Sequence, residues 1–94
     1  MDAIDCQPKF SLGLLRIKPG AEQHLTKHDI VVALLRHLSG NWGEVDEFEW
    51  KVNDDALEYG GRLSSAYRSL SGIKFRVITE RDRSVTTILL PEEY

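Results

Sequence analysis

The segment Thr79-Glu80-Arg81-Asp82-Arg83-Ser84 holds the densest set of reactive side chains in the sequence. Glu80, Asp82 and Ser84 could serve as acid, base and nucleophile, or the two carboxylates could hold a metal while Arg83 holds an anion. The flanking residues argue against both. No histidine is near in sequence, and no glycine-rich cradle precedes the segment. β-Branched runs lie on either side, so a charged hairpin turn is expected, with Asp82 accepting backbone N–H bonds and Thr79 and Ser84 as strand ends. Arg81 and Arg83 remain candidate binding groups for acidic partners.

Other constellations are weighed in the same way. Asp46, Glu47, Glu49, Asp54, Asp55 and Glu58 invite a calcium reading, but an EF-hand loop needs a central glycine and a glutamate at its twelfth position. Helical periodicity explains this segment better, as a solvated acidic face that could still dock a basic partner. His24 and His28 have the i, i+4 spacing of zinc ligands on a helix, yet Thr26 between them is an expected N-cap that breaks the helix phase. No metal or cofactor is therefore expected. His37, in the last turn of a helix, is expected to complement its dipole. Cys6, the single cysteine, lies in an expected loose tail and is taken as inert. Trp42 and Trp50 flank Gly43, where they could anchor the core or, for Trp42, present a corner to a partner.

The most plausible functional surface is cationic. Arg62 and Arg68 share one face of an expected strand, and Lys74 and Arg76 share the matching face of the next, with Ser64, Ala66 and Ile78 between them. Tyr67 and Phe75 point to the other face, so the cationic face lacks aromatic groups for base stacking. Acidic partners within the chain would neutralise it.

The elements that position these groups follow from periodicity. Residues 10–17 alternate as a first strand, and Pro19 begins a short helical turn. Thr26 caps a helix with Asp29 as its capping-box acid, and Ile30, Val31, Leu34, Leu35 and Leu38 form its apolar stripe up to Gly40. Asp46 and Glu49 repeat the capping pattern for a second helix. There Phe48, Val52, Ala56 and Tyr59 share a face, Trp50 and Leu57 form another stripe, and Gly60-Gly61 ends the helix. The period then changes to two, giving strands from "RLSSAYRS", "IKFRVITE" and "SVTTILL". The expected fold is α+β: a short N-terminal strand, two capped helices and a three-stranded antiparallel meander (β-α-α-β-β-β), helices on one face. Residues 1–9 are expected as a flexible tail and 10–94 as a single domain.

The 94 residues suffice for one core. No apolar stretch approaches the length of a membrane span, and the first residues lack the pattern of a signal peptide. A cytoplasmic protein is expected. Net charge is −3, distributed in blocks. Residues 1–40 carry five Lys/Arg against four Asp/Glu, residues 41–60 one against seven, and residues 61–94 six against four. This implies an acidic helix face and a cationic sheet face, not a uniformly nucleic-acid-binding surface.

Residues 18–21 (KPGA), 34–67 and 72–94 resemble a small uncharacterised bacterial family associated with plasmids and other mobile elements. That resemblance implies an accessory role and carries no site residues. At the level of fold, the element order also resembles RelE/ParE-type toxins, some of which cleave messenger RNA. Arg62, Arg68, Lys74, Arg76 and Tyr94 would match the basic and aromatic residues such toxins use. The negative net charge, the ending Pro91-Glu92-Glu93-Tyr94 and the lack of histidine after residue 37 depart from it. The expectation is a non-enzymatic accessory or regulatory protein that binds another macromolecule, with a protein as the expected partner and no membrane. The alternative is a diverged toxin of that type that binds or cleaves RNA. A terminal strand lying at a sheet edge could also pair with a copy of itself.

Overall fold

A computed structural model describes residues 7–94. The first six residues of the expected tail, Cys6 among them, lie outside the described residues. Three helices and four strands follow one another as β1 (Leu14–Ile17), α1 (Pro19–His24), α2 (Lys27–Leu38), α3 (Glu47–Tyr59), β2 (Leu63–Arg68), β3 (Lys74–Thr79) and β4 (Val85–Leu89), with a closing 3₁₀ turn over Pro91–Glu93. The class is α+β, and β2-β3-β4 form the antiparallel meander.

The sheet order is β1-β4-β3-β2, with β1 parallel to β4, so the sheet is mixed. The last strand is therefore interior. Paired on both sides, β4 cannot self-associate through a free edge; the edges are β1 and β2. β1 is also shorter than the 10–17 expected, because the chain before it turns inward. Gly13 holds φ 65° where a Cβ would collide with the Ser84 and Arg83 carbonyls, and Phe10 packs beside Trp42 and His37.

Both predicted N-caps are present. Thr26 Oγ1 accepts from Asp29 N–H while Asp29 returns a bond from Thr26 N–H. Asp46 accepts from Glu49 N–H at 2.7 Å, but Glu49 does not complete a capping box because its carboxylate reaches Arg76 instead. A third carboxylate tethers the C-terminal turn. Glu93 accepts from the N–H groups of Gly20 (2.6 Å), Ala21 (3.1 Å) and its own turn at Leu90 (2.9 Å). These bonds hold the acid below the ordinary carboxylate range.

Two clusters make the core. In one, Ala21, Leu25 and Ala33 from the helical layer meet Tyr67, Phe75, Val77 and Ile88 from the sheet. In the other, Trp42, Ala56 and Leu63 join Phe10, Val45, Trp50 and Leu57 where α3 meets β2. The helices are rotated relative to the apolar stripes of the sequence. On α2 the buried line is Asp29, Ala33 and His37; Ile30 and Leu34 of the expected stripe pack half-buried beside it, and Val31 is exposed. On α3 Asn53 and Ala56 are buried and the expected Trp50–Leu57 stripe packs against the core, whereas Phe48, Val52 and Tyr59 face solvent.

Polar anchoring sets both rotations. Asp29 Oδ1 accepts from Leu70 N–H in the β2–β3 turn. Asn53 donates to Ser64 O (2.9 Å) and accepts from Ser64 N–H (3.0 Å), completing the outer edge of β2 as a neighbouring strand would. One pair further along, Ala66 N–H donates to Trp42 O and Glu44 N–H donates to Ala66 O. Gly43, at φ 79°, makes that approach feasible, since a Cβ there would strike Ala66 O. The β2 edge is thus closed by side-chain and loop backbone groups.

Candidate functional site: a neutralised sheet face and an exposed helix stripe

The closing turn is architectural. Asp82 accepts from Ser84 N–H and Oγ, and those bonds hold its carboxyl below the ordinary range. Arg83, the single non-glycine at positive φ among the described residues (61°), turns its guanidinium inward. It donates to Gly61 O (2.6 Å), Glu80 O (3.1 Å) and Ala56 O (3.1 Å), closing the C-terminal end of α3, and lies 5.7 Å from the Phe10 ring centroid. Arg83 is therefore withdrawn from the binding role expected of it. Arg81 is exposed at the tip.

Trp42 is also withdrawn. It is fully buried and its Nε1 donates to Asp54 at 2.9 Å, which makes it a core anchor and not a contact corner. Its ring is one wall of a pocket for a residue whose role the sequence concealed. His37 is fully buried, with its ring edge-on to Trp42 (5.6 Å) and Phe10 (5.2 Å). The expectation that it serves the helix dipole is overturned.

A directed chain of hydrogen bonds passes through this histidine. Thr86 Oγ1 must donate to the Leu12 carbonyl (2.7 Å), so Thr79 Oγ1 donates to Thr86 (2.7 Å). Thr79 then accepts from His37 Nε2–H (2.9 Å), and the bare Nδ1 accepts from Ser65 Oγ–H (2.6 Å). The network assigns the neutral Nε2–H tautomer and ties α2 to all three strands of the meander. Burial and the nearby Arg83 charge push the His37 pKa down to about 4. Ser65 and His37 have the separation of a nucleophile and its base, but both are wholly enclosed, so no substrate atom reaches them. The signal available in the sequence was a histidine in register with Asp29 and Ala33, not with the leucines.

Three of the four cations on the sheet face are in ion pairs. Arg62 pairs with Glu80 (3.5 Å), Arg68 with Glu44 (3.0 Å) and Arg76 with Glu49 (3.2 Å), and Arg76 also donates to Ser64 Oγ. Lys74 has no ion-pair partner among the described residues. Ile78, expected to lie open between the charges, is buried at 4% exposure. It is flanked along its own strand by Arg76 and Glu80, both held in pairs. Exposed pairs contribute little to stability, but here they cancel the field that would attract phosphate.

In place of the cationic face, α3 presents an apolar one. Phe48 and Tyr59 are 76% and 77% exposed, and Val52 lies between them. At 100° per residue Phe48, Val52, Asp55 and Tyr59 fall within an arc of about 60° on a line about 16 Å long. Along its flank run Glu47, Asp54 and Glu58, with Lys51 held to Asp55 (3.8 Å). Beside Tyr59 an open concavity is lined by Val52, Asp55, Gly60, Gly61 and Arg62. Of the residues singled out in the sequence, Arg62 from the cationic set and Asp55 from the acidic face line it.

Among the described residues no group of histidine, cysteine and acidic side chains has the geometry of a metal site, and no helix is long and apolar enough to cross a membrane. No protein-family model, curated protein or solved structure matches the chain.

Proposed function

We propose that this protein is a small non-enzymatic accessory module that binds another protein through the outer face of α3. The observation that carries this is the Phe48–Val52–Tyr59 stripe. Aromatic side chains of this size, exposed in line on a helix whose opposite side is locked by Asn53 and Arg83, are the usual anchors of a protein interface. The enclosure of Ser65 and His37 and the pairing of the sheet-face arginines speak for binding over catalysis. An accessory role is also what the resemblance read from residues 18–21, 34–67 and 72–94 implies.

The test is a photo-crosslinking residue placed at position 52 in expressing cells, with one at exposed Gln23 as control. The expected result is a discrete protein adduct from position 52 that disappears with Phe48→Ser and Tyr59→Ser. An RNA adduct, or none, would remove the proposal. In the former case the toxin-like alternative takes its place.

A further inference from the structure

The charge around the α3 stripe points to the kind of protein it takes. α3 carries no cation in its last turn, and Asp55 and Glu58 sit near the end where the helix dipole is already negative. Lys51 is its one basic residue, four before Asp55. Arg83 serves the inner carbonyls at that end, Ala56 O and Gly61 O, and leaves the outer carboxylates alone. Acidic groups so placed work against their own helix, and a cation arriving from outside relieves them.

Other acids of the same block are engaged within the fold: Glu44 on Arg68, Glu49 on Arg76 and Asp54 on Trp42. Glu47 and Glu58 line the stripe without an ion-pair partner among the described residues, and Asp55 is held only by the exposed Lys51 at 3.8 Å. The concavity beside Tyr59 offers a carboxylate (Asp55), an aromatic ring and two glycines without side chains, and the one cation on its rim, Arg62, is held by Glu80; such a setting accepts a lysine or arginine end group by ion pairing and cation–π contact.

Resting on the protein-binding proposal above, we infer that α3 docks a cationic amphipathic helix of about three turns. Its apolar side covers Phe48, Val52 and Tyr59, and its lysines or arginines meet Glu47, Asp55 and Glu58. The length matches because the stripe spans about 16 Å and a three-turn helix about the same.

The probes are two synthetic fourteen-residue amphipathic helices, one of leucine and lysine and one of leucine and glutamate. Each is titrated by fluorescence anisotropy at low and physiological salt, and amide shifts are mapped by NMR. The lysine peptide is expected to bind with shifts confined to α3 and its flanks. Affinity should fall at least tenfold with salt, with Phe48→Ser/Tyr59→Ser, and with Asp55→Asn/Glu58→Lys. The last variant discriminates well, since a lysine at position 58 suits the dipole and sits four residues after Asp54, so its Tm should rise while binding is lost.

Equal binding of both peptides, no binding of the lysine peptide, or shifts away from α3 would overturn the inference. The crosslink at position 52 separates the two levels. An adduct that survives Asp55→Asn/Glu58→Lys keeps α3 as a protein-binding face and removes the cationic partner, whereas absence of any adduct removes both.

Discussion

His37 shows how much one residue can couple in a small fold. Its folded-state pKa of about 4 lies below the ordinary 6.5, so the folded protein binds fewer protons than the unfolded chain in that interval. The stability it confers is complete above pH 6.5 and is lost as pH falls toward 4, by about 3 kcal/mol in all. Denaturant unfolding between pH 7 and 4 should show that decline, and His37→Gln should flatten it while lowering stability at pH 7. The Asp29 carboxyl, held down by the N–H groups of Thr26 and Leu70, loses its contribution below the ordinary carboxylate range, so the two windows separate. Arg83 is the second such residue. Arg83→Lys should destabilise nearly as much as Arg83→Ala, about 2 kcal/mol, because an ammonium cannot reach Ala56 O and Gly61 O together as the guanidinium fork does. A Lys variant as stable as wild type in thermal melts would refute this.

At the level of elements, Asn53 is the decisive contact. It stands where a neighbouring strand would pair with β2, and its two bonds to Ser64 fix the rotation of α3. Asn53→Leu should cost about 1–3 kcal/mol by leaving the Ser64 N–H and C=O unpaired. It should also open the edge, so light scattering at high concentration should report more association than for wild type. The helices, their N-caps, the turns and the three strands of the meander were legible in the sequence, because periodicity and capping chemistry are local. Rotation was not. The apolar spacing of α2 and α3 allows more than one inward side, and Asp29, His37 and Asn53 decide which side it is, through partners 28 to 42 residues away or 11 residues away across a turn. The same limit hid the α3 stripe: Phe48, Val52 and Tyr59 have the spacing of a buried face. The position of β4 was equally closed to inspection, since it depends on where β1 docks.

Across the whole molecule, the acidic block of residues 41–60 and the basic block that follows are two halves of one surface. Glu44 and Glu49 are delivered by the Trp42 corner and the first turn of α3 onto Arg68 and Arg76. What looked in sequence like a cationic sheet face is a neutral lattice with Lys74 beside it. Neutralising the acids should therefore uncover that face. Glu44→Gln/Glu49→Gln should gain salt-sensitive binding to labelled RNA and duplex DNA that wild type lacks, with a steeper dependence on salt by about two counterions for the two arginines set free. Its fold should persist, because half-exposed pairs contribute only about 0–1 kcal/mol each. If wild type already binds RNA as tightly as the variant, the pairs yield to phosphate. The sheet face then becomes the working surface, and α3 loses its claim as the primary contact.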